Sequence, residues 1–166
     1  MDKAGDEGMN KIHLTEVPIE RSSSPKGRFR RLIQHISRAL TGMNGLARPD
    51  RPQPFDVELV RLPAGALNWP YHSHSLQWEI CLILSGRGQV RTPAGTGMIR
   101  EGDCLLHPPG EPHQIRNTGA VDLVYYMIAD NPPVDICHYP DTNKWALPGQ
   151  PRPVKIQPLD VYDGEE

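Results

Sequence analysis

At 166 residues, the chain suits one compact domain with a substantial core and is too short for two comfortable ones. A formal net charge of −2, with 23% charged residues, offers no global attraction to nucleic acid or to an anionic membrane. No apolar run approaches the roughly 20 residues of a membrane-spanning helix, and eighteen prolines with fifteen glycines favour many short elements joined by turns.

Taken in chain order, residues 1–24 are polar and irregular and read as a flexible or loosely docked arm. The opening MDKAGDEGMN lacks the apolar stretch of a signal peptide, so a cytoplasmic protein is expected. From Pro25 the pattern changes: Phe29, Leu32, Ile33, Ile36, Ala39 and Leu40 recur at helical spacing, with basic residues between them. An amphipathic helix followed by a Gly-, Asn- and Pro-rich linker is expected over 25–54. A helix-turn-helix would need more than this one helix ahead of Phe55, so a DNA-binding role is set aside.

Beyond the linker the period becomes two. Phe55 to Leu62, Trp78 to Ser85, Gln89 to Thr92, Gly97 to Arg100, Cys104 to His107, Gln114 to Asn117 and Asp122 to Asp130 read as strands separated by turns such as SGRG, TPAG and PPGE. Many short strands with Gly/Pro turns predict an all-β sandwich or barrel over 55–130. The Pro-rich stretch 131–166 is expected to pack on the barrel surface. Cys81, Cys104 and Cys137 are an odd number without metal-like spacing and read as reduced thiols, the first two buried in strands.

Seven histidines are present, and two of them stand in His72-Ser73-His74, with Glu79 five residues further on. Alternate residues of a strand face one side, so both imidazoles can enter one cavity. Taken alone, this pair is better read as two partly exposed histidines. His113 follows the stiff turn Pro108-Pro109-Gly110-Glu111-Pro112 and leads into another strand. Three imidazoles and a carboxylate form a mixed nitrogen and oxygen set suited to one divalent transition-metal ion: iron, manganese, nickel, zinc or copper. Calcium and magnesium would want more oxygen. Gln77, Tyr71, His107 and Tyr126 are the candidates for the pocket around such a site.

The wider spacing carries a resemblance. In YHSHSLQWEICLILSG, His72, His74, Glu79 and Gly86 stand at the intervals of the first cupin motif; in GDCLLHPPGEPHQIRN, Gly102, Pro108, Gly110, His113 and Asn117 stand at those of the second. The chain therefore resembles the small single-domain bacterial cupins. One departure is visible, because the first motif normally opens with a glycine six residues before its first histidine and Gly65 lies seven before. The resemblance implies a double-stranded β-helix, or jelly-roll, barrel. It also implies that His72, His74, Glu79 and His113 ligate one metal with one or two positions left open. Cupins include dioxygenases, isomerases and non-catalytic binding proteins, so the fold does not choose a reaction. The expectation is a metal-dependent enzyme acting on a small oxygenated molecule, or else a cupin that binds a small carboxylate without turnover. Association as a homodimer is also expected.

Overall fold

The computed structural model describes residues 11–41 and 53–165. Twelve strands are present among them: β1 (Glu20–Ser23), β2 (Arg30–His35), β3 (Phe55–Leu62), β4 (Ser73–His74), β5 (Glu79–Ser85), β6 (Arg87–Thr92), β7 (Gly95–Arg100), β8 (Cys104–His107), β9 (Gln114–Asn117), β10 (Leu123–Asp130), β11 (Cys137–Tyr139) and β12 (Lys144–Ala146). The chain is all-β, and the strands expected between Phe55 and Asp130 fall within a few residues of their predicted bounds.

Three antiparallel sheets enclose the interior. A six-stranded sheet runs β1-β2-β3-β10-β5-β8, and it is faced by the sheet β7-β6-β9; the small sheet β12-β11-β4 sits beside them. Alternation fills the space between. Val60 and Leu62 on β3, Cys81 and Ile83 on β5, and Leu123 and Tyr125 on β10 meet Val90, Ile99 and Ile115 from the facing sheet. Each of these is at most 9% exposed. The polar Asn117 is fully buried beside them and fixes the loop after β9. Its amide donates to the Leu62 and Val121 carbonyls at 2.7 and 2.8 Å, and its oxygen accepts from the Gly119 N–H at 2.8 Å. At Gly86 the backbone turns with φ +85, and a Cβ there would stand 2.5 Å from the Asp122 carbonyl oxygen. Only glycine meets both demands.

The region before the barrel departs from expectation. Residues 30–35 are a strand, and the only described α-helix is the short α1, Ile36–Leu40. The apolar residues around Leu32 and Ile33 fit a helical period and a strand period alike, and pairing with β3 decides between them, with Ile33 opposite Val60 and His35 opposite Glu58. Pro25, read as a first helical turn, instead occupies a β-turn closed by the Gly27 N–H on the Ser24 carbonyl at 2.8 Å, which joins β1 to β2. The segment read as a loose arm is also built in over residues 14–23. A 3₁₀ turn at Leu14–Glu16 lies beside β2, Val17 is buried, and the Gln34 amide donates to the Leu14 and Val17 carbonyls. Residues 1–10 of the arm and 42–52 of the linker lie outside the described residues. The C-terminal stretch supplies β11 and β12, so it extends the barrel wall. Cys81 is buried as expected, but Cys104 is exposed because its strand turns that side chain away from the core.

Candidate metal centre

A cavity of about 270 Å³ opens between the sheets at the end of the barrel carrying β4, and His72, His74, Glu79 and His113 all line it. Separate devices bring them there. His72 and His113 are locked side by side by a pair of backbone hydrogen bonds, His113 N–H to the His72 carbonyl at 2.8 Å and the reverse at 3.2 Å. His74 lies on β4, whose register with β11 places it opposite Cys137, and its carbonyl receives the Gly110 N–H at 2.7 Å from the Pro-rich turn. Glu79 opens β5, with its inward parity shared by Cys81 and Ile83.

The imidazoles are oriented alike. Each Nδ1 faces an oxygen outside the cluster: His72 the Pro70 carbonyl at 2.9 Å, His74 the Asp135 Oδ2 at 2.6 Å, and His113 the Glu111 carbonyl at 3.3 Å. A carbonyl or carboxylate at Nδ1 calls for the proton there and leaves Nε2 of His72 and His74 with its lone pair, whereas His113 Nε2, 2.7 Å from Glu79 Oε2, holds a proton that a metal ion would displace. The Nε2 atoms of His113 and His74 lie 2.7 and 3.7 Å from the two oxygens of Glu79. Burial alone would raise the Glu79 carboxyl, but the bond from His113 and the surrounding imidazoles bring its pKa down to about 2. Burial, reinforced by His113, pushes His72 down to about 3. An ionised carboxylate and a neutral imidazole are the states a metal ligand requires. Ligand atoms of His72, Glu79 and His113 lie within 4.8 Å of one another, as do those of His72, His74 and Cys137. The donor set and its orientation therefore fit a metal ion, which His72, His74, Glu79 and His113 could hold together.

The same architecture is found elsewhere. Residues 58–129 match the family model described as a cupin domain. This stretch is a cupin domain. A structure of a candidate sugar phosphate isomerase from Acidithiobacillus ferrooxidans superposes with a TM-score of 0.72 at 22% identity, covering 88% of this chain and 92% of that one. A structure described as a predicted oxalate decarboxylase from Thermotoga maritima superposes with a TM-score of 0.58 at 27% identity, covering 72% and 97%. In sequence, the chain is similar to an oxalate-binding protein of Thermotoga maritima, 33% identical over 69 residues, which are 42% of this chain and 56% of that protein. The chain spans about half the length of the curated relatives it matches.

None of the four candidate pocket residues lines the cavity. Gln77 precedes β5 rather than lying on it, and its amide donates to the Asp130 carbonyl at 2.6 Å. Tyr71 lies under the Arg91 guanidinium, 3.8 Å from its ring centroid. Tyr126 faces the opposite side of β10 from Tyr125 and Met127, which do line the cavity. His107 is 3% exposed and stacks on His113, ring centroids 3.9 Å apart and planes 10° apart, with neither ring nitrogen hydrogen-bonded. It backs His113 rather than meeting the cavity, and burial with His113 lowers its pKa to about 4.

Other residues around the site carried no sequence signal. Asp135, in the extension after β10, accepts from His74 through Oδ2 and from Ser75 Oγ and the Leu76 N–H through Oδ1, at 3.0 and 2.9 Å. Cys137 and Tyr139 reach the wall from β11, where burial raises the thiol to about 11 and the phenol to about 12. Arg31 on β2 and Glu58 on β3 also line the cavity. A strand alternation over Cys137–Tyr139 is too short to read as a wall, and Arg31 was hidden by the helical reading of its segment.

Proposed function

We propose that this cupin holds one divalent transition-metal ion (iron, manganese, nickel, zinc or copper) on His72, His74, Glu79 and His113, and uses it as an enzyme on a small oxygenated molecule. The observation that carries this reading is the common orientation of the three imidazoles, each with Nδ1 held from outside and Nε2 left for the cluster. Such an ion supplies Lewis-acid polarisation of a carbonyl or enediol or, if it is iron, dioxygenase chemistry. The chain's own part is to keep four ligands facing a cavity of about 270 Å³, which admits only a small substrate, and to shield it with the apolar wall of Tyr125 and Met127.

A second reading, retention of a small carboxylate without turnover, is favoured by the 33% identity to a protein named for binding oxalate. Metal analysis of protein purified without an affinity tag tests the shared premise. One ion per chain is expected in the wild type and a large loss in His72→Ala and His113→Ala; full occupancy in both variants would refute the site. Incubation of the metal-loaded protein with oxalate, diols and keto acids, followed by oxygen uptake and product analysis, then separates the two readings. Turnover supports the enzyme, and tight oxalate binding with no product supports the binder.

The reading includes a homodimer in the cytoplasm. Ile80, Leu106 and Ile128 are 44%, 54% and 38% exposed on neighbouring strands of the six-stranded sheet, and the register sets Ile80 opposite both of the others. A contiguous apolar sheet face of this kind is suited to a second copy. The three cysteines are free thiols, as a reducing compartment keeps them, and no described helix is long and apolar enough to cross a membrane. Sedimentation should give a dimer for the wild type and a monomer for Ile80→Glu/Leu106→Glu; a wild-type monomer at micromolar concentration would refute the dimer.

A further inference from the structure

The cavity holds a second polar feature that the His/Glu cluster does not use. Val60 belongs to the core and pairs with Ile33, so the inward face of β2 carries Ile33 and, by alternation, Arg31 and His35. Arg31 lines the same cavity as the cluster. Its guanidinium carbon lies over the Trp69 ring, 4.6 Å from the centroid, and its Nε is buried with no hydrogen-bond partner. Glu58 is the carboxylate nearest in role to a partner. It is instead held by His35, whose Nδ1 lies 2.7 Å from Glu58 Oε1, and it makes no ion pair with Arg31. The two feel each other only through their charges.

A permanently charged fork inside a barrel, with a donor left over, is an incomplete arrangement. Arg31 as a whole is half-buried, but its Nε is buried and no described side chain accepts from it. Planar guanidinium groups held on an aromatic face recognise oxyanions through two parallel N–H bonds. We propose that Arg31 is the specificity-determining residue of the cavity, and that the ligand is a small molecule with two oxygen-bearing ends. One end lies at the His/Glu cluster; the other is a carboxylate or a phosphate monoester received by Arg31. The first half of this statement rests on the metal reading, and the second rests on Arg31 alone. It narrows the ligand from a small oxygenated molecule to a small oxyanion, and it assigns the choice to β2, a strand that precedes the matched cupin segment of residues 58–129.

Calorimetric titration of metal-loaded protein with succinate, glutarate and phosphoglycolate, each against the uncharged diamide succinamide, tests the assignment. At least one of the three anions should bind the wild type, with succinamide ten-fold weaker or undetectable. Arg31→Gln should weaken the anion at least ten-fold. Arg31→Lys should fall between the two, because it keeps the charge and loses the fork. Tighter phosphoglycolate than succinate assigns the phosphate source, and the reverse assigns the carboxylate source. Metal content and circular dichroism are recorded on the same samples, and if Arg31→Gln misfolds, Arg31→Lys alone decides. Three results would overturn the proposal: no anion of the three binding the wild type, succinamide binding as tightly as succinate, or the folded arginine variants binding within three-fold of the wild type. A protein that takes up no metal but binds anions through Arg31 would remove the metal reading and leave Arg31. Normal metal uptake with Arg31-independent binding would do the opposite.

Discussion

Replacing Asp135 by Asn isolates the part of the site that comes from outside the matched cupin segment. Every group facing this carboxylate is a donor: His74 Nδ1 on Oδ2, with Ser75 Oγ, the Leu76 N–H and the more distant Gln77 N–H on Oδ1. A carboxylate serves both sides, but an amide has one acceptor end and one donor end. If the amide nitrogen faces His74, the ring must move its proton to Nε2, and the lone pair needed by a metal is lost. If the amide turns over, the Ser75 and Leu76 donors face a donor instead. In the first case His74 loses the tautomer a metal needs, and in the second the Ser75 and Leu76 donors lose their acceptor; either way the cost is about 1–3 kcal/mol. In the first arrangement that cost falls on the metal, weakening it roughly 5- to 150-fold. In the second it falls on folding. Competition of the apoprotein against a chromophoric zinc chelator reads the affinity, and urea unfolding of the same apoprotein reads the stability. The two losses should sum to about 1–3 kcal/mol. Ser75→Ala, which leaves the bond to His74 in place, should change affinity by less than about three-fold on the same reasoning. Asp135→Asn with both affinity and stability unchanged would refute the assignment of Asp135 as the group that orients His74.

Three further outcomes follow from other parts of the structure. In chelator-treated protein, burial holds His72 near 3 and His107 near 4, whereas unfolded histidines titrate near 6.5. The unfolded state therefore binds protons that the native state refuses, and stability should fall as pH drops below about 6.5, by up to about 1.4 kcal/mol per pH unit for each group. Urea midpoints measured from pH 7 to pH 5 check this, and a flat profile would contradict it. Asn117→Ala strips donors from the Leu62 and Val121 carbonyls and an acceptor from the Gly119 N–H; a loss of about 2–4 kcal/mol is expected from denaturant unfolding, and less than 1 would be inconsistent with a buried junction. At Gly88 an added Cβ would stand 2.4 Å from the Arg116 carbonyl oxygen and 2.8 Å from Leu123 Cδ2. Because β6 and β9 are paired there, Gly88→Ala should lower stability by about 1–3 kcal/mol, roughly 2–12 °C in Tm by scanning calorimetry, and an unchanged Tm would show that the strands can part without cost.

The strands from Phe55 to Asp130 were legible because each follows its own two-residue period and ends at Gly or Pro, and these are local properties of the chain. The cluster residues were legible for a different reason: His72, His74, Glu79 and His113 stand in two motifs whose turn residues, such as Gly86, fix geometry within each motif. Tertiary structure decided what local pattern leaves degenerate. Apolar positions at Leu32, Ile33 and Ile36 satisfy a helix and a strand alike, and only the partner strand β3 made Arg30–His35 a strand and turned Arg31 inward. His107, which holds no position in either motif, read as a pocket residue, yet it is buried behind His113 because cross-strand pairing sets it opposite Glu79 on the edge strand β8. Asp135 has no period or motif to announce it, since its role exists only where β11 lies beside β4. By itself, then, the sequence determined the barrel strands, through a local two-residue period, and pointed to the residues of the cluster through the resemblance of two motifs to those of cupins. The wall around the cluster, with Arg31, Asp135, Cys137 and Tyr139, was decided only by folding, which brings together segments separated by up to about a hundred residues through pairings that no local pattern specifies.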